Sequence, residues 1–162
     1  MVSIIYFSKN GNTKALADIV ANGAKSVNDT EVRVFSIDDI DYDYVSNSNT
    51  VIFGTPTYYA NTCWQMKKWF DTSSSCKLEG KIGGVFVTAD YMQGGGDVAA
   101  LTIIQHMMVK GMLVYSGGTA LGKPYLHLGP VAIKGNDELN ETMCEVYGQR
   151  IAQKAEEIFA DK

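Results

Sequence analysis

The stretch Tyr6-Phe7-Ser8-Lys9-Asn10-Gly11-Asn12-Thr13-Lys14 passes from an apolar run into short hydroxyl and amide side chains, then into a helix-forming segment. A helix opened this way has first N–H groups without intrahelical acceptors, and they point outward at the positive end of the helix dipole. Ser8, Asn10, Asn12 and Thr13 add short side chains that can donate hydrogen bonds, and with Lys9 and Gly11 they form a cradle for one phosphate. A triphosphate loop would read G-x-x-x-x-G-K-[ST], but here Thr13 precedes Lys14 and the first glycine is missing. The dinucleotide pattern G-x-G-x-x-G fails as well, because Gly11 stands alone. Serine and asparagine before a helix also serve as ordinary N-caps, so the turn alone leaves both roles open.

Two further stretches carry suitable groups. Gly54-Thr55-Pro56-Thr57-Tyr58-Tyr59-Ala60-Asn61 follows the apolar run Thr50 to Phe53, and Thr88-Ala89-Asp90-Tyr91-Met92-Gln93-Gly94-Gly95-Gly96-Asp97 follows Ile82 to Val87. In an open parallel sheet, ligands bind outside the carboxyl ends of the strands, so these loops and the Ser8 turn converge on one crevice. One phosphate cradle with Tyr58, Tyr59 and Tyr91 nearby suits a ligand with a single phosphate and a flat aromatic ring. Gly94 and Gly95 let backbone approach the polar edge of that ring. Cys63, Cys76 and Cys144 are odd in number and form no C-x-x-C pair, which fits buried reduced thiols rather than a metal site. His127 lies in a loop that could flank the ligand, while His106 reads as a packing or surface residue. Trp69 reads as core, and Trp64 is placed to reach the ligand side.

Short apolar runs alternating with helical periodicity must position these groups, the pattern of an α/β protein. The runs Val2 to Phe7, Glu31 to Phe35, Thr50 to Phe53, Ile82 to Val87 and Met112 to Tyr115 predict five strands of one parallel sheet covered on both faces. Helices are expected over Thr13 to Lys25 (stripe Leu16, Ile19, Val20, Ala24), Cys63 to Asp71, Asp97 to Val109 (stripe Leu101, Ile104, Met107, Met108) and Glu138 to Phe159. Ile37 to Asn49 holds at most a short helical turn. Ser116 to Gly135, with five of the sixteen glycines and two of the three prolines, reads as a long loop or a split last strand.

A chain of 162 residues predicts one domain over residues 1–162. Fourteen basic against eighteen acidic residues give a net charge of −4 with no long run of like charge, which argues against nucleic acid as a partner. Val2 to Phe7 is too short for a signal-peptide core and no segment has about 18 consecutive apolar residues, so no membrane span and a cytoplasmic location are expected.

The residues resemble the flavodoxin-like FMN proteins, including the branch of WrbA-type NAD(P)H:quinone oxidoreductases. Ser8-Lys9-Asn10-Gly11-Asn12-Thr13 is similar to the family's phosphate loop. Further matches are Gly54-Thr55-Pro56-Thr57-Tyr58 with Trp64-Gln65-Met66-Lys67 and Phe70-Asp71, then Gln93-Gly94-Gly95, all in the family's order. The likeness continues more weakly through Lys110-Gly111-Met112 and the final helix. It implies a three-layer flavodoxin-like fold with a five-stranded parallel sheet of order 2-1-3-4-5, and FMN as cofactor. The phosphate would sit at Ser8 to Thr13, the ring against Pro56, Thr57, Tyr58, Tyr59, Ala60 and Asn61, and the ring's pyrimidine edge near Thr88, Ala89, Asp90, Tyr91, Gln93, Gly94 and Gly95.

The enzyme branch carries an insertion where this chain has only Ile37 to Asn49, and a histidine pair where it has Val109-Lys110. The expected function is electron transfer through bound FMN to redox partner proteins. The alternatives are an NAD(P)H-dependent quinone oxidoreductase and a non-redox flavin-binding or partner-binding module, and a homo-oligomer remains open. A phosphoacceptor receiver domain is excluded, because it needs acids where Gly54-Thr55 and Ser8-Lys9 stand. The chemistry resides in the flavin, with no catalytic side chain required. A carboxylate at Asp90 would disfavour an anionic reduced ring and lower its potential.

Overall fold

The computed structural model describes residues 1–28 and 30–160. In chain order its elements are β1 (Val2–Tyr6), α1 (Asn12–Lys25), β2 (Val32–Ser36), α2 (Tyr42–Asn47), β3 (Thr50–Tyr58), β4 (Asn61–Thr62), α3 (Trp64–Thr72), β5 (Ile82–Ala89), α4 (Gly96–Val109), β6 (Leu113–Val114), β7 (Val131–Ile133) and α5 (Asp137–Phe159). The sheet runs β2-β1-β3-β5-β6 with parallel pairing, the expected order once the two-residue β4 is set aside.

Alternating side chains along each strand divide the core into two layers. Ile4, Ile52 and Phe86 face α1 and α5, joining Val20, Ala24, Tyr147 and Ile151. Ile5, Val51, Phe53, Val85 and Val87 face α3 and α4, joining Met66, Trp69, Phe70, Ile103 and Met107. Trp69 is therefore core, as expected. Phe53, Trp69 and Phe70 form a ring cluster with centroids 4.8 to 5.5 Å apart.

Three details depart from the sequence expectation. The run Gly54 to Tyr58 continues β3 rather than forming a loop, and it pairs with Asn61–Thr62 in an antiparallel hairpin. The buried stripe of α4 is Ala99, Ala100, Ile103 and Met107, while Leu101 and Met108 are exposed. Small residues let that helix approach the sheet closely, which a search for large apolar residues overlooks. The connection Ile37 to Asn49 contains a complete six-residue helix, capped by Asp41, whose carboxylate accepts from the Tyr44 N–H at 2.9 Å.

The last strand is split. β6 pairs with Ile82 and Gly83, β7 pairs with Val87 to Ala89, and the chain between them leaves the sheet. Tyr147 of α5 reaches into this gap, and its hydroxyl accepts from the Val85 N–H at 3.0 Å and donates to Tyr115 O at 3.1 Å. Arg150 holds the excursion from the same helix. Its buried guanidinium donates to the carbonyls of Gly118, Leu121, Gly122, Lys123 and Pro124 at 3.0 to 3.4 Å. Among the described residues no helix is long and apolar enough to cross a membrane.

Candidate functional site

At the carboxyl ends of β1, β3, β5 and β7 lies an open cleft of about 390 Å³. The strand register brings its walls together: Tyr6 pairs with Gly54, and Pro56 pairs with Thr88. Phe7 N–H donates to Gly54 O at 3.1 Å, so the turn after β1 is tied to the strand that carries Pro56 to Tyr58.

Ser8, Lys9, Asn10, Asn12 and Thr13 form one wall. Gly11, with φ 91°, takes the left-handed conformation that ends the turn and starts α1. The Ser8 hydroxyl accepts from Gly11 N–H at 3.1 Å, which closes the turn on itself. The helix has no side-chain cap and no acid in its first turn, and its regular ladder begins with Ala15 N–H donating to Gly11 O at 2.9 Å. The N–H groups of Asn12, Thr13 and Lys14 therefore have no intrahelical acceptor at the helix end that lines the cleft, and no first-turn acid offsets the dipole there. The other helix that lines the cleft, α5, differs, because Asp137 and Glu138 occupy its first turn. An anion in this cleft is favoured at α1 and disfavoured at α5. Thr13 is buried, and its hydroxyl is 2.9 Å from that of Thr88, which fixes the start of α1 to the end of β5.

Pro56, Thr57 and Tyr58 form a second wall, and Thr88, Ala89 and Asp90 the floor and far edge. Thr57 Oγ1 is buried without a hydrogen-bond partner among the described residues. An orphaned hydroxyl on a ligand-sized cleft is a group waiting for a partner. Burial pushes the Tyr58 hydroxyl pKa up, with Cys63 and the Asp90 carboxylate adding to the shift, so the phenol stays neutral and can donate.

The remaining expected residues lie around the cleft rather than on its lining. Tyr59 and Ala60 are the two central residues of the β3–β4 hairpin, with φ 48° and 62°. Tyr59 is fully exposed, and Tyr91 is 74% exposed with Gln93 beside it in solvent. Asn61 turns towards α4. Gly94 closes a turn by donating its N–H to Tyr91 O at 2.9 Å. Gly95 has φ 89°, and a Cβ there would sit 2.5 Å from Ala60 Cα, so the two loops touch backbone to backbone. Trp64 and His127 are exposed and do not line the cleft, and His106 packs on Phe70 with rings 4.9 Å apart.

The sequence reading did not include Ala15, Leu16 and Ile19 of α1, nor Ala132, Ile133, Lys134, Asp137, Asn140 and Glu141 after the split strand. The rule that ligands sit beyond strand ends would have reached the second group had the second half of the split last strand, expected only somewhere within Ser116 to Gly135, been placed at 131–133 beside the strand at 113–114. Asn140 secures that side: its side chain accepts from Ile133 N–H at 3.1 Å and donates to Ile133 O at 2.7 Å. The described residues hold no group of three or more His, Cys, Asp or Glu placed to bind a metal ion.

Comparison with known proteins agrees with this architecture. Residues 4–109 match the family model described as Flavodoxin. The chain is 49% identical over 158 residues to a flavodoxin of Clostridium saccharobutylicum, covering 98% of this chain and 99% of that one. It is 25% identical to an NAD(P)H dehydrogenase (quinone) of Syntrophus aciditrophicus (strain SB), covering 91% of this chain and 81% of that one. The crystal structure of the flavodoxin, WrbA-like protein from Agrobacterium tumefaciens superposes with a TM-score of 0.81 at 25% identity, covering 96% of this chain and 97% of that one. With the sheet order and a family match running from β1 to the end of α4, the chain belongs to the flavodoxin family.

Proposed function

We propose that this flavodoxin holds one FMN in the cleft and passes electrons through it between redox partner proteins, working as a single unit over residues 1–162. The observation that carries the reading is the uncapped, acid-free start of α1 opening on the same cleft as the orphaned Thr57 hydroxyl. These groups fit the cofactor: the N–H groups and hydroxyls of Ser8 to Thr13 would take the phosphate, and Thr57, Tyr58 and Thr88 to Asp90 would border the remainder. FMN, when bound, supplies a ring that takes up and releases electrons one or two at a time. The protein's part is to position that ring and set the local charge. Asp90 is the cleft acid on the Tyr58 side, opposite Asp137 and Glu141 of α5, and the neutral Tyr58 phenol is an available donor.

The 25% relative favours a second reading, an NAD(P)H-dependent quinone reductase. The short helix α2 in place of an insertion, and Val109-Lys110 in place of a histidine pair, favour the carrier. Purified protein should absorb in the blue, or take up added FMN stoichiometrically. Under anaerobic conditions NADH or NADPH alone should leave the bound flavin oxidised, while NADPH with a flavoprotein reductase should bleach it. Direct bleaching followed by quinone turnover moves the assignment to the reductase. Flavin that no reductase can bleach points to a non-redox module, and refusal of FMN sinks all three readings.

A further inference from the structure

The hairpin bearing Tyr58 and Tyr59 is poorly held by its own sequence. Its two central residues, Tyr59 and Ala60, are both in the left-handed region, which side chains with a Cβ rarely adopt, and its return strand has two residues. Conformations of this kind persist only where neighbouring structure enforces them. Thr55 holds the root of the hairpin from within, its hydroxyl 2.7 Å from that of Thr62. The turn end is held from α4. Thr102 Oγ1 donates to Asn61 Oδ1 at 2.7 Å, a shorter contact than its own helical alternative, Val98 O at 3.0 Å. Thr62 N–H donates to the same Asn61 atom at 2.7 Å, which identifies that atom as the amide oxygen. Gly95, the cap of α4, lies against the Ala60 backbone. One helix therefore grips the hairpin at two points seven residues apart, and the second grip is a single hydroxyl that does not line the cleft.

We propose that Thr102 is a positioning residue for the flavin site: through Asn61 it holds the Tyr59–Ala60 turn in its left-handed conformation and so sets where Tyr58 stands against the ring. This rests on the FMN reading above. Thr102→Val removes the hydroxyl and keeps the shape, whereas Thr102→Ser keeps the hydroxyl. For Thr102→Val, the FMN dissociation constant of the apoprotein, read by flavin fluorescence quenching, should rise about tenfold, the loss expected of one hydrogen bond. The midpoint potential in an anaerobic titration should move with it, and amide exchange across Tyr59 to Thr62 should quicken in the apoprotein. Thr102→Ser should restore all three. Unchanged affinity, potential and exchange in Thr102→Val overturns the proposal, as does a Thr102→Ser variant that behaves like Thr102→Val, since packing would then be the cause. If the wild-type protein takes up no FMN, the flavin reading fails, and the exchange measurement alone decides whether Thr102 holds the hairpin.

Discussion

Asp90 carries a charge at the cleft edge that bears on the proposed electron transfer. It is exposed at the cleft edge, beyond the end of β5, and adds negative potential beside Tyr58. Asp90→Asn should raise the potential of the final reduction step by on the order of tens of millivolts, the size expected of one partly screened charge a few ångströms away. An anaerobic redox titration that finds wild-type values would remove Asp90 from the account. Cys144 acts in the opposite setting, fully buried against the sheet, and burial pushes its thiol up to about 12 from an ordinary value of 9.0. The unfolded thiol loses its proton above pH 9 while the folded one keeps it until about 12. Stability should therefore be insensitive to this group below pH 9 and fall by about 1.4 kcal/mol per pH unit between those limits. Urea unfolding of wild type and Cys144→Ala at pH 8 to 11 measures the difference in slope, and parallel curves would contradict it.

At the scale of elements, the split last strand governs both the cleft and the stability of its far wall. Because β6 and β7 pair with opposite ends of β5, Val85 N–H lacks a strand neighbour on that side and relies on the Tyr147 hydroxyl. Tyr147→Phe leaves that buried N–H and the Tyr115 carbonyl without this partner, at a cost of about 1–3 kcal/mol, to be read from chemical denaturation. A variant as stable as wild type would mean that water or another group both accepts from the Val85 N–H and donates to the Tyr115 carbonyl. Helices α1 and α5, which carry the two cleft-lining N-termini, cross where Gly23 lies on the Glu145 backbone and Gly148 on that of Val20. Neither position has room for a Cβ, so the spacing of the two helix starts beside the cleft is set by that glycine pair.

For the whole molecule, charge and exposed apolar surface act at different ranges. The net charge of −4 is spread thinly, while Tyr59, Tyr91 and Met92 stand exposed around the cleft. On the proposed carrier function, long-range attraction would favour a basic partner, and these aromatic and thioether groups would be available for close contact. The second-order rate of electron exchange with a basic haem protein should fall severalfold as ionic strength rises from about 50 to 500 mM, because the Debye length shrinks below the separation of the charges. Stopped-flow rates independent of salt would show that the −4 balance has no part in the encounter.

Much of this was legible in the residues alone. Continuous apolar runs marked the strands of the parallel sheet, the family resemblance supplied their order, and the Ser8 to Thr13 turn pointed to the cleft, because strand patterning is local and strand ends have a fixed geometry. The structure decided features that depend on partners distant in sequence. Gly54 to Tyr58 is strand because Asn61–Thr62 folds back on it and β5 runs alongside. Tyr59, Asn61 and Gly95 stand at the cleft margin because α4 grips the hairpin from a residue forty-one positions away. The far wall, Ala132 to Glu141, belongs to the site because the last strand breaks and rejoins β5 further along. Sequence periodicity records which face of an element is apolar. It contains no term for which distant hydroxyl or backbone a turn will meet, and those meetings set the shape of the cleft.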